Sequence, residues 1–137
     1  MAMVSLYTTS GCQSCRKARD WLIENNIRFQ EKEVTFLPPT VKELKQLFSL
    51  AEDVTDIISV RSVAVQKIPR TLGCQLEDLT FNQLLDYIQK NPTGLRRPLL
   101  TDGKRLMVGW DQDEITMFLP RKARKQHIGS PFVNLSN

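Results

Sequence analysis

No apolar run in this chain approaches the roughly 18 residues that a membrane-spanning helix requires, and mean hydropathy is -0.29. Met1 to Tyr7 has neither a basic flank nor a long apolar stretch, so it does not read as a secretory signal. Both absences point to the cytoplasm and away from a membrane. Cysteine is scarce: there are three among 137 residues, and the odd count argues against a secreted scaffold stapled by disulfides. The one histidine, His127, stands near the C-terminus and reads as solvated. No internal repeat is visible. What remains is ordinary for a globular protein: 41% hydrophobic and 25% charged residues, in a chain long enough to bury one core. The net charge of +4 gathers late, in Arg96-Arg97, Lys104-Arg105 and the run Arg121 to Lys125. That is a mild bias toward acidic partners and not by itself the signature of a nucleic-acid reader.

Periodicity lays out the elements. Val4 to Thr8 alternates and is rich in β-formers, a buried strand. Ala18, Trp21 and Leu22 carry helical spacing from about Cys12 to Asn25, and Arg28 to Val34 reads as a polar, edge-type strand. Leu37-Pro38-Pro39 breaks the chain. Thr40 with Glu43, and Thr80 with Gln83, are capping boxes that open helices. A further helix is expected from Asp56 to Lys67, followed by an irregular stretch from Ile68 to Gly73. Asp102-Gly103 is a hairpin signal between strands at Pro98–Thr101 and Arg105–Gly109. Asp111 with Glu114 opens a last short helix that ends at Pro120. The expected organisation is one α/β domain over residues 1–120, a mixed sheet interrupted by a helical insertion at about 38–92. A basic tail over 121–137 is expected to be flexible.

The chemistry concentrates in Cys12-Gln13-Ser14-Cys15. Two cysteines three apart, after a strand and opening a helix, form the thioredoxin-like context. The unpaired N–H groups of a helix start favour thiolate, and Arg16 and Lys17 add positive charge. Cys12 is therefore assigned as the attacking thiolate and Cys15 as the resolving partner. A zinc half-site is the competing reading. It lacks a second ligand pair, since only Cys74 and His127 remain, and no metal or cofactor is assigned. Cys74 is read as a lone thiol near the surface. Thioredoxin-like folds often place a cis-proline opposite the cysteines, so Pro98 is expected to be cis, with Arg97 beside Cys12 to hold a thiolate or oxyanion.

The segment from Leu6 through Cys12-Gln13-Ser14-Cys15-Arg16-Lys17-Ala18-Arg19 resembles the N-terminus of Spx-type regulators, in the arsenate reductase-like branch of the thioredoxin superfamily. The likeness continues in Glu43 to Gln46, Asp56 to Ser62, Leu95 to Leu100, Lys104 to Gly109 and Asp113 to Lys122. It implies a cytoplasmic transcription regulator of low-GC Gram-positive bacteria, a monomer when free. Such a protein binds the C-terminal domain of the RNA polymerase α subunit and touches promoter DNA only in that complex. It further implies that Cys12 and Cys15 are a thiol-stress switch, that Arg97 and Arg61 support the thiolate, and that Glu52, Asp53 and Val54 meet the polymerase. The family usually has glycine where Val54 stands. The other reading is a thiol-dependent oxidoreductase of the arsenate reductase type. Those enzymes ring the oxyanion with arginines, and the third arginine is absent at Val108 or Gly109.

Overall fold

The computed structural model of the protein describes residues 3–120, so the basic tail over 121–137 lies outside it. Within those residues the chain runs β1 (Val4–Thr8), α1 (Gln13–Glu24), β2 (Phe29–Glu33), α2 (Val41–Leu50), α3 (Val63–Gln66), α4 (Ile68–Leu72), α5 (Phe81–Lys90), β3 (Leu99–Thr101) and β4 (Leu106–Val108). Single 3-10 turns join several of them. The sheet order is β2-β1-β3-β4. β1 lies parallel to β2 and antiparallel to β3, and β3 pairs antiparallel with β4. A parallel neighbour needs a crossover, and α1 supplies it. β2 sits at the edge, in keeping with its polar sequence Phe-Gln-Glu-Lys-Glu. The mixed α/β, thioredoxin-like sheet is thus as expected.

Alternation along the inner strands divides the core into two layers. Val4 and Leu6 of β1, with Leu100 of β3 and Met107 of β4, face Ala18 and Leu22 of α1 and Ile115 and Phe118 near the end of the described chain. Tyr7 and Leu99 face the other way, onto Leu44 and Leu47 of α2 and Leu84, Leu85 and Ile88 of α5. Both central strands are therefore covered on both faces, which holds the β1–α1 junction rigidly in place.

Two expectations need correcting. Asp56–Lys67 is not one helix. A 3-10 turn over Val54–Asp56 is followed by a turn at Ile57, a single bridge residue at Ile58 and a second turn at Val60 and Arg61, and only Val63–Gln66 is helical. Ile57 and Ile58 are both fully buried, and Ile58 bridges to Leu95 in antiparallel fashion, a pairing that β-branched residues favour over helix. Ser62 then starts α3 by accepting from the Val65 N–H. Ile68–Gly73 is not irregular either. Pro69 occupies the first turn of α4, where a missing N–H costs nothing, and Gly73 closes the helix at φ +74°. The two capping boxes, at Thr40/Glu43 and Thr80/Gln83, form as the sequence predicts. The hairpin forms too: Asp102 accepts from the N–H groups of Lys104 and Arg105, and Gly103 takes φ +94°.

Candidate functional site, a dithiol at the head of the first helix

β1 ends at Thr8, and the chain turns through Gly11 at φ +75° into α1. That turn makes Cys12 the N-cap of the helix. Its Sγ accepts from the backbone N–H of Cys15 at 3.1 Å, the place a capping oxygen usually fills. Cys12 and Cys15 are joined as a disulfide, with Cα atoms 5.2 Å apart, inside the usual range for such a bond. The two sulfurs differ in access: Cys12 is half-buried, whereas Cys15 is fully buried. No acidic residue stands in the first turn of α1, and Arg16 and Lys17 are exposed beside it. On reduction, helix dipole and side chains both favour a thiolate at Cys12.

A polar network fastens this helix to the sheet. Arg19 donates to both oxygens of Glu31, Nε at 2.6 Å and Nη2 at 2.7 Å, and Thr8 Oγ1 donates to Glu31 Oε2 at 2.9 Å. On the opposite face Glu43 receives the Tyr7 hydroxyl at 2.8 Å together with the Lys32 ammonium.

The other predicted site residues lie as follows. The Arg97–Pro98 bond is cis, as expected. Arg97 is half-buried, and its Nη1 donates to the carbonyls of Thr93 (2.8 Å) and Leu95 (3.0 Å). Burial lowers the pKa of its guanidinium. Among the described residues no hydrogen bond joins Arg97 to Cys12, and the disulfide offers no thiolate for it to hold. Arg61 is exposed and lines a recess of about 430 Å³ with Ser59, Val60 and Arg96. The arginine brought to the same recess as Arg61 is thus Arg96, which sequence reading noted only as charge. Arg96 is anchored there by bonds from its N–H to Ile57 O and from Nε to Ile58 O. The signal that might have marked it, the Arg96-Arg97 doublet, does not say which of the two joins Arg61; the exposed Arg96 does, and Arg97 is the half-buried one. Glu52 lines an open cleft of about 630 Å³ that also includes Arg96, Asp56 and Glu114. Asp53 serves as a cap, accepting from Thr55 N, while its own N–H donates to Asp56. Val54 packs, half-buried, against the α2–α5 core. Cys74 is a free, half-buried thiol. Among the described residues no three His, Cys, Asp or Glu side chains converge on a common point. No helix there is long and apolar enough to cross a membrane.

A mixed sheet with a disulfide-linked cysteine pair capping the helix after β1, and a cis-proline leading into β3, defines a thioredoxin-fold protein of the arsenate reductase type. The comparisons with known proteins agree and go further. The ArsC family model matches residues 7–118. The chain is 48% identical over 127 residues to the global transcriptional regulator Spx of Listeria innocua, covering 92% of this chain and 94% of that one. It is 46% identical to the Spx of Enterococcus faecalis, covering 92% and 93%. Among solved structures, an ArsC-family-related protein from Bacteroides fragilis superposes with TM-score 0.69 at 26% identity, over 85% of this chain and 98% of that one. An arsenate reductase from Vibrio cholerae gives 0.68 at 18% identity, over 85% and 95%, a likeness of fold alone. The chain belongs to the ArsC family and, within it, to the Spx-type regulators. Its relatives at 43–48% identity bear the name of a regulator and not of a reductase, in line with the expected non-enzyme.

Proposed function

We propose that this protein is a redox-responsive global transcription regulator that acts in the cytoplasm by docking on the C-terminal domain of the RNA polymerase α subunit. The observation that carries this reading is the Cys12–Cys15 pair at the head of α1, in a chain that aligns with named Spx regulators over nine-tenths of its length. Under thiol stress the two thiols lose two electrons and two protons to an oxidant of the peroxide or disulfide class, and one S–S bond forms. Cys12 is the sulfur that meets the oxidant, because it is the more accessible and sits on the positive end of the helix. Cys15, buried one turn further on, resolves it. Arg97 and Arg61 support the thiolate when the bond is open. Glu52, Asp53 and Val54 form the docking segment, and promoter DNA is touched only within the polymerase complex, through the basic residues after Pro120. The free protein is a monomer.

The switch is tested by treating the reduced full chain with a mild oxidant. The expected result is a loss of two hydrogens in the intact mass, with Cys12 and Cys15 both blocked to alkylation while Cys74 remains reactive. If Cys12 and Cys15 both stay alkylatable after oxidation, the switch is excluded.

A further inference from the structure

Cys12, Cys15 and Arg19 stand at i, i+3 and i+7, so they share one face of α1 and its cap. Arg19 lies four residues past Cys15 and seven past Cys12, about 6 Å and about 10 Å along the helix axis at 1.5 Å per residue. Its charge is not free. The guanidinium forks onto both oxygens of Glu31, which projects from the edge strand β2. The same carboxylate accepts from Thr8, a hydroxyl only 1% exposed at the end of β1, four residues before Cys12. The strand that leads into the motif, the helix that carries it and the sheet edge thus meet at one carboxylate. Hydrogen bonding from Arg19 outweighs the opposing effect of burial and, with that from Thr8, holds the Glu31 carboxyl below its usual range, so it is ionised wherever the dithiol operates. The side chains are 33% and 27% exposed, so water screens the pair only in part. Asp20 is the other acid near Arg19, and it is exposed.

We propose that Arg19 and Glu31 are a positioning pair that sets the reduction potential of Cys12–Cys15, with Glu31 neutralising a cation that would otherwise stabilise the thiolate. The inference rests on the dithiol reading above and assigns it a control. Neither residue reacts. Reduction of the protein disulfide takes two electrons and two protons from a dithiol reagent, which itself becomes a disulfide, and it leaves a product that is partly thiolate. A net positive charge on the cysteine face favours that product and makes the pair more oxidising, and a net negative charge does the reverse. Removing one partner leaves the other unbalanced, so the two single substitutions act with opposite sign. Loss of anchoring alone would move both the same way.

The test equilibrates the full chain with dithiothreitol buffers of graded redox ratio at pH 8 and counts alkylated thiols by mass, Cys74 serving as the internal reference. Glu31→Gln is expected to shift the equilibrium about threefold toward the dithiol, about 14 mV at 29.6 mV per tenfold for a two-electron couple. Arg19→Gln is expected to shift it about threefold toward the disulfide. Arg19→Lys, which keeps the charge, and the double Arg19→Gln/Glu31→Gln substitution should both return close to the unsubstituted value. Shifts of the same sign in both single variants, or no shift in either, overturn the proposal. If the unsubstituted chain forms no Cys12–Cys15 disulfide, the switch reading itself fails, and that is seen before any variant is compared.

Discussion

Glu43 shows how much one side chain does here. It is the N3 residue of the α2 capping box, where its Oε1 accepts from the Thr40 N–H, and its Oε2 receives the Tyr7 hydroxyl and the Lys32 ammonium. Burial would raise its pKa, but the bonds from Lys32, Thr40 and Tyr7 prevail and hold it at about 2. Burial, reinforced by Glu43, pushes the Tyr7 hydroxyl the opposite way, upward. The folded-state pKa of Glu43 lies below its unfolded value. Its contribution to stability is therefore present above about pH 4.5 and is lost as pH falls through about 2. Urea titrations of the wild type and Glu43→Gln should show a constant gap above pH 5 that narrows toward pH 2. A gap independent of pH would place the effect elsewhere. Arg97→Ala removes the cation nearest in sequence to the cis-proline, and the pKa of Cys12 in the reduced protein should rise, read from alkylation rate against pH. An unchanged profile takes Arg97 out of the site. At this scale the sequence was legible where spacing carries the chemistry: the Cys12/Cys15 pair and the residue pairs of both capping boxes. It was silent on Thr8, Arg19 and Glu31, which meet only because β1 and β2 align in parallel register.

The elements teach a similar lesson. α2 and α5 were readable because each opens with a threonine whose hydroxyl accepts from the N3 backbone, at 3.1 Å in α2 and 3.2 Å in α5. Thr80→Ala should lower unfolding free energy by about 1 kcal/mol in urea, the usual cost of a lost N-cap. The stretch between them was misread because two effects there act against local pattern. Ile57, which closes the 3-10 turn, and Ile58, which bridges to Leu95, are both drawn into the core, so the apolar spacing of a helix is absent in fact. α4 is only five residues long and carries a proline at its second position, so it offers too little periodicity to recognise. Gly94 sits in the turn that leads to Leu95. A Cβ added there would meet Ile88 Cδ1 at 3.0 Å and Val65 Cγ2 at 3.3 Å. Gly94→Ala is expected to destabilise by about 1–3 kcal/mol through overpacking, measured by thermal or urea unfolding.

For the whole molecule, the mixed sheet and the order of its elements followed from alternation and turn chemistry. The dithiol's place at a helix start followed from the strand just before it. Partner choice did not follow in this way. It came from resemblance, because docking surfaces carry no periodicity and Glu52, Asp53 and Val54 are ordinary residues in a 3-10 turn and its lead-in. Val54 is the informative position there, packed against the core at the place where the resemblance implies glycine. The account is tested most directly by titrating the purified chain, reduced and oxidised, against the C-terminal domain of the RNA polymerase α subunit, with Val54→Gly in parallel. It predicts micromolar or tighter binding that differs between the two redox states and is at least as tight in Val54→Gly. Absence of binding in both states, in the wild type and in Val54→Gly alike, would contradict it and direct attention to arsenate-dependent turnover at the dithiol.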